Sequence, residues 1–144
     1  MSSEPTNHLN HSTWECKYHV VFTPKYRRKE LYGYLRSELR DVLHRLSRQK
    51  DSEIVKEHLM PDHVHMLLSI PPKHSVAHVI GFMKGKSSIW IAQNIKNRRR
   101  NFAGHKFWAR GYFVSTVGAD ERTVRNYIQT QEKQDKRLDD LFNR

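Results

Sequence analysis

Two pairs of residues in this 144-residue chain have the types and spacing to do chemistry. The first is His63 and His65, within the run His63-Val-His-Met-Leu-Leu-Ser-Ile70. Side chains alternate along an extended chain, so as a strand this run sends Val64, Met66, Leu68 and Ile70 to one face. His63, His65, Leu67 and Ser69 go to the other. Two imidazoles on one face can share a divalent metal once further ligands join them. The second pair is Tyr127 and Gln131, one turn apart on a helical stretch, so that both act at one location. A tyrosine hydroxyl can attack a phosphodiester when a cation takes up the developing charge, and the resulting phosphotyrosine ester can be reversed by a nucleic-acid hydroxyl.

Plainer readings stand beside these. With 10 histidines in 144 residues, chance alone supplies about 0.7 His-x-His pairs. Two solvated strand histidines and a helix tyrosine packed half in the core would account for the same letters. Placement favours the first pair, because the alternate positions on its strand are all apolar and must face the helices. His63 and His65 then occupy the face that helices leave open. His74 and His78, a rival pair at helical spacing with no neighbouring carboxylate, read as surface residues.

The elements that must carry these residues follow from periodicity and breakers. Trp14–Thr23 reads as a strand ended by Pro24, and the basic link Lys25-Tyr-Arg-Arg-Lys29 follows. Leu35, Leu39, Val42, Leu43 and Leu46 make one apolar stripe of a helix that ends at Asp51-Ser52. A second strand spans 52–59, with Met60-Pro61-Asp62 as a tight turn before His63. After Pro71-Pro72, Ser75 is the N-cap of a helix carrying Val76, Val79, Ile80, Met83, Trp90, Ile91 and Ile95. Gly81 and Gly85 within it weaken the helix or admit a close neighbour. Tyr112–Val117 is the last strand, and Gly118 is a break or hinge. Asp120 caps a third helix running to about Glu132, docked by Val124 and Ile128. The order β-α-β-β-α-β-α predicts an α+β, ferredoxin-like (RRM-like) split βαβ fold: an antiparallel sheet with two helices on one face, plus a C-terminal helix carrying the tyrosine. The expected division is a polar leader over 1–12, a single domain over 13–132 and a charged tail over 133–144.

Composition bounds the function. A formal charge of +11 makes a polyanion the leading partner, since clustered Lys and Arg gain affinity by releasing phosphate counterions. One cysteine, Cys16, allows neither an intrachain disulfide nor a cysteine zinc cluster, and fits a reducing, cytoplasmic setting. No apolar run resembles a signal peptide or a membrane helix, so no membrane role is expected. The candidate nucleic-acid contacts are Lys25, Arg27 and Arg28 in the first link, then Arg98, Arg99, Arg100, Lys106, Trp108 and Arg110. Cations there would meet phosphates, and interleaved aromatics could stack on unpaired bases. For Phe107 and Trp108 a core position is an equal alternative.

Met60-Pro61-Asp62-His63-Val64-His65, Gly111-Tyr112-Phe113, Thr116-Val117-Gly118 and Tyr127-x-x-x-Gln131 together resemble the single-tyrosine HUH transposases (transposase A) of the insertion sequence 200/605 group. The resemblance extends from Trp14 onward. It implies that His63, His65 and Gln131 ligate a divalent metal, magnesium or manganese, and that Tyr127 is the nucleophile. It further implies a bacterial or archaeal enzyme, associated with the nucleoid when bound to DNA. Such an enzyme cleaves and rejoins hairpin-ended single-stranded DNA at element ends through a 5′-phosphotyrosine intermediate. A homodimer whose active sites are shared between subunits is implied as well. Two alternatives remain at the level of sequence. One is a non-catalytic single-strand-binding module of the same fold. The other is a rolling-circle initiator or relaxase, which shares the histidine pair but is usually larger.

Overall fold

Leucines and valines spaced by three and four residues dictate the first helix, and the buried stripe is the expected one: Leu35, Leu39, Val42, Leu43 and Leu46. The computed structural model describes residues 7–9, 12–25, 33–94, 107–116 and 121–142. A short antiparallel hairpin, β1 (Asn7–Leu9) with β2 (Ser12–Trp14), comes first. Then follow β3 (Lys17–Phe22), α1 (Gly33–Gln49), β4 (Glu53–Met60), β5 (His63–Ser69), α2 (Val76–Asn94), β6 (Phe113–Ser115) and α3 (Glu121–Phe142). The second sheet is antiparallel in the order β4-β5-β3-β6. Its two central strands are the first and third of the βαββαβ unit, which is the split βαβ arrangement. The fold class read from the sequence is the one observed.

Three boundaries differ from expectation. The first strand starts at Lys17 rather than Trp14, because Trp14 pairs with Asn7 in the short hairpin whose β1 and start of β2 lie inside the polar leader. The third helix does not stop near Glu132 but continues to Phe142, through most of the expected tail. Its sequence there holds no glycine or proline and is rich in good helix formers, with Glu132 four residues before Lys136. The last strand is shorter than the expected Tyr112–Val117, covering Phe113–Ser115. Gly118 and Asp120, expected as hinge and cap, lie outside the described residues.

One face of the sheet packs on α1 and α2. Val20 and Phe22 of β3, Val64, Met66 and Leu68 of β5, and Ile54 and Leu59 of β4 form the core with the stripe of α1 and with Val79, Ile80, Met83 and Ile91 of α2. The end of α1 is closed by hydrogen bonds from Asp51 N to Arg48 O and from Ser52 N to Ser47 O, with Asp51 at φ 55°. This is the left-handed turn that terminates many helices, occupied here by a residue other than glycine. The Asp51 carboxylate takes an ion pair from Lys73 at 2.9 Å. Ser75 caps α2 as read, its Oγ accepting from the backbone N–H of His78 at 3.0 Å. Gly81 and Gly85 are exposed, with nothing near enough to meet an added Cβ, so no close neighbour within the described residues explains them.

Strand β4 contains a bulge between Ile54 and Lys56. A strict two-residue alternation could not bury both Ile54 and Leu59, which are five residues apart. The extra residue resolves this, and Val55 is exposed.

Candidate active site

The bulge decides what stands beside His65. Beyond it, Glu57 and Leu59 point to the helix side, and His58 falls opposite His65 on the other face. There the imidazoles of His58 and His65 lie 6.5 Å apart between ring centres. His19, from β3, reaches the same place: its Nδ1 is 3.2 Å from His65 Nε2, so one of the two imidazoles donates to the other. His63 Nδ1 is 2.9 Å from Asp62 Oδ1, which leaves Nε2 as its outward nitrogen. His63 and His65 therefore occupy the face predicted from alternation, in the company of two histidines that the sequence did not single out. Burial holds His65 below the usual histidine value, and the neighbouring His19, His63 and His58 imidazoles add to the effect. It is neutral at pH 7, with a lone pair to offer.

Helix α3 covers the next part of the same face. Val21 is fully buried although it points away from Val20 and Phe22, because Ile128, Phe113 and Tyr127 close over it. Ile128 docks the helix as expected; the side chain of Val124 lies outside the described residues. Val21 is the cross-strand neighbour of His65 on one side and of Phe113 on the other. One residue thus stands between the histidine cluster and the foot of α3. The Tyr127 ring is 6.0 Å from that of Phe113, centre to centre.

Gln131 is 8% exposed and is held at both ends of its reach. Its Nε2 donates to the Arg110 carbonyl at 3.1 Å and to the Tyr127 hydroxyl at 3.2 Å. The carbonyl partner fixes which end of the amide is nitrogen, so Oε1 is the atom left for a cation. Gly111, at φ +78°, supplies the turn beside it, a conformation that side-chain-bearing residues rarely adopt. The segment before this turn is tied down on both sides. Lys25 N bonds Phe107 O, and Ala109 N bonds Thr23 O. Trp108 Nε1 donates to Ser87 Oγ at 2.8 Å, and Phe107 N to Ser88 Oγ at 3.1 Å.

That anchoring corrects one expectation. Trp108 is 6% exposed and packs edge-on against Phe22 and Phe107, so it belongs to the core and offers no face on which a base could stack. Its indole N–H was satisfied from α2, which favoured an inward position. Arg110 is exposed, as a phosphate contact should be, and Lys25 is half-buried. Arg27, Arg28, Arg98, Arg99, Arg100 and Lys106 lie outside the described residues. The rival pair, His74 and His78, stacks ring on ring at 5.6 Å, with His74 3.5 Å from the Asp51 carboxylate.

The donor set fits a divalent cation. His63, His65 and Gln131 are all neutral ligands, so the full positive charge would remain for a phosphate. The Asp62 contact to His63 is the kind of carboxylate support that orients metal-binding imidazoles. Among the described residues no group of three or more His, Cys, Asp and Glu side chains makes a metal site unaided. A cation therefore needs the Gln131 oxygen, or ligands from outside that set.

The model of the family described as "Transposase IS200 like" matches residues 12–131. The transposases for insertion sequence element IS200 of Salmonella typhimurium and Salmonella typhi are each 41% identical over 128 residues, which is 89% of this chain and 84% of theirs. A Deinococcus radiodurans chain solved at 1.90 Å and described as a transposase superposes with a TM-score of 0.79 at 27% identity, covering 87% of this chain and 97% of its own. A REP-associated tyrosine transposase bound to a REP hairpin shares the fold, with a TM-score of 0.53 at 16% identity over 89% of this chain and 68% of that one. No helix among the described residues is long and apolar enough to cross a membrane. The chain belongs to the IS200-like transposase family, and it is a transposase.

Proposed function

We propose that this transposase cuts and rejoins single-stranded DNA at the ends of its insertion sequence, with Tyr127 as the nucleophile. The observation that carries the proposal is the Gln131 amide held between the Arg110 carbonyl and the Tyr127 hydroxyl, with the tyrosine packed on Val21, the cross-strand neighbour of His65. Support for a hairpin substrate comes from the structural neighbour bound to a REP hairpin. Exposed Arg110 at the edge of the site suits a phosphate.

In the first step, Tyr127 Oη bonds to the scissile phosphorus, and the bond from phosphorus to the 3′ oxygen breaks. The phenolic proton is given up, and the released 3′ oxygen takes one to become a hydroxyl. In the second step, a 3′-hydroxyl from another DNA end attacks the 5′-phosphotyrosine, and the tyrosine leaves with its proton restored. A divalent cation on His63, His65 and Gln131 would supply charge neutralisation at the phosphate. Magnesium or manganese suits the role. Phe113, Val21 and Ile128 hold the tyrosine ring at the sheet, while Gln131 directs the hydroxyl. The chain sets α3 on its own sheet; in a homodimer with shared sites, which belongs to the same proposal, α3 of one chain would take that place on the other.

The test is Tyr127→Phe on a hairpin-ended single strand with magnesium. Binding should persist and the covalent protein–DNA adduct should vanish; a surviving adduct would overturn the nucleophile assignment. Mixing His63→Ala with Tyr127→Phe subunits tests the sharing. Mixed dimers regain one intact site only if Tyr127 serves the partner's histidines, so continued inactivity would exclude sharing.

A further inference from the structure

Lys84 lies on α2, on the same stripe as Ser87, Ser88 and Ile91, with its ammonium over the Phe22 ring, 5.8 Å from the ring centre. It is a half-buried cation whose recorded partners among the described residues are not carboxylates. They are two main-chain oxygens, Ala109 O at 2.9 Å and Gly111 O at 2.6 Å. Burial pushes this ammonium down to about 8. Such a charge is costly to keep where a methionine of similar length would fill the space. The two carbonyls therefore point to what the charge is for.

The three carbonyls of residues 109–111 are taken up on two sides of the bend at Gly111. With Ala109 O and Gly111 O both drawn to α2, the carbonyl between them, Arg110 O, faces the opposite way. That is the oxygen to which Gln131 donates. Gly111, at φ +78°, lets the chain turn immediately afterwards. Three consecutive carbonyls thus join a lysine on one side of the sheet edge to the glutamine and tyrosine on the other.

We propose that Lys84 is a positioning residue of the transposition site. By holding the Ala109 and Gly111 carbonyls on α2, it turns the Arg110 carbonyl toward α3 and fixes the Gln131 amide against the Tyr127 hydroxyl. This rests on Tyr127 and Gln131 acting as proposed above. It adds a residue on the helix side of the sheet, remote from the histidine face, that acts through main-chain geometry alone.

The experiment is a double-mutant cycle with a second readout that needs neither metal nor DNA. Lys84→Met should slow adduct formation by about tenfold or more, the scale of one hydrogen bond to a charged group. In a Gln131→Ala background the same change should cost less than about twofold, because its target is already gone. In metal-free, DNA-free protein, the side-chain NH2 of Gln131 should be protected from solvent exchange in wild type and lose that protection in Lys84→Met. Gly111→Ala, which disturbs the same turn without touching the lysine, should reproduce both effects and serves if Lys84→Met does not fold. An equal slowing on both backgrounds, or an unchanged Gln131 amide in the variants, would overturn the inference. Loss of the adduct in Tyr127→Phe together with full activity in Lys84→Met would sink the Lys84 role alone. If Tyr127→Phe kept its adduct, the nucleophile assignment would fall, and the Gln131 amide would still decide whether Lys84 positions it.

Discussion

The two faces of the sheet are built on different principles. The helix side is a continuous apolar layer in which β3, β4 and β5 meet two helices. The opposite side has a small apolar foot of Val21, Phe113, Ile128 and Tyr127, and beside it four histidines, His19 bonded to His65, His63 to Asp62, and His58 alongside His65. The first face supplies the stability of the domain. The second uses that rigidity to hold groups that would not gather by hydrophobicity, which is why a site on strands can be more precise than one on loops.

Substitutions should separate these roles. The largest effect expected is on chemistry: His63→Ala or His65→Ala should slow adduct formation by about a hundredfold or more, the scale of losing one charge-stabilising group, with the melting temperature little changed. A large fall in melting temperature would mean that the histidine face also holds the fold together. Next comes stability. Phe22→Ala on the helix side should cost about 3–5 kcal/mol in denaturant unfolding, while Ile128→Ala should cost about 2 kcal/mol and chiefly expose α3 to protease. Equal costs would erase the distinction between core and foot.

The smallest effects are those of pH, and they run in opposite windows. Lys84 titrates at about 8 in the folded protein against an ordinary 10.5. Between those values the unfolded chain binds the extra proton, so wild type should gain stability over Lys84→Met as pH rises from 8 to 10.5. His65 is depressed below 6.5, so wild type should lose stability relative to His65→Ala as pH falls below 6.5. Calorimetric melts across both ranges would check the two signs.

Where local periodicity determined position, the sequence was legible. The stripe of α1, the alternation along β5 and the Ser75 cap all follow from spacings within one element, and so do the facing of His63 and His65 and the pairing of Tyr127 with Gln131. What could not be read was anything set between elements. His19 joins His65 only through the register of β3 on β5, and His58 only through the bulge in β4. The odd separation of Ile54 and Leu59 was the available hint of that bulge. Trp108, among basic neighbours, read equally as a stacking platform or a core residue. Its burial depends on Ser87, a residue twenty-one positions earlier that meets its indole across the fold. The parts played by Lys84, Ser87 and Ser88 likewise depend on a segment brought to α2 from farther along the chain.

Ile54 and Leu59 are five residues apart, one position more than strict alternation allows, and the bulge in β4 absorbs the surplus. Loss of Val55, an exposed side chain, would leave the two four apart on one face and keep His58 opposite His65 with no bulge at all. That position is spare in number as well as in type. Among relatives of this chain, a β4 one residue shorter at this point should therefore be regular and hold the same pairing.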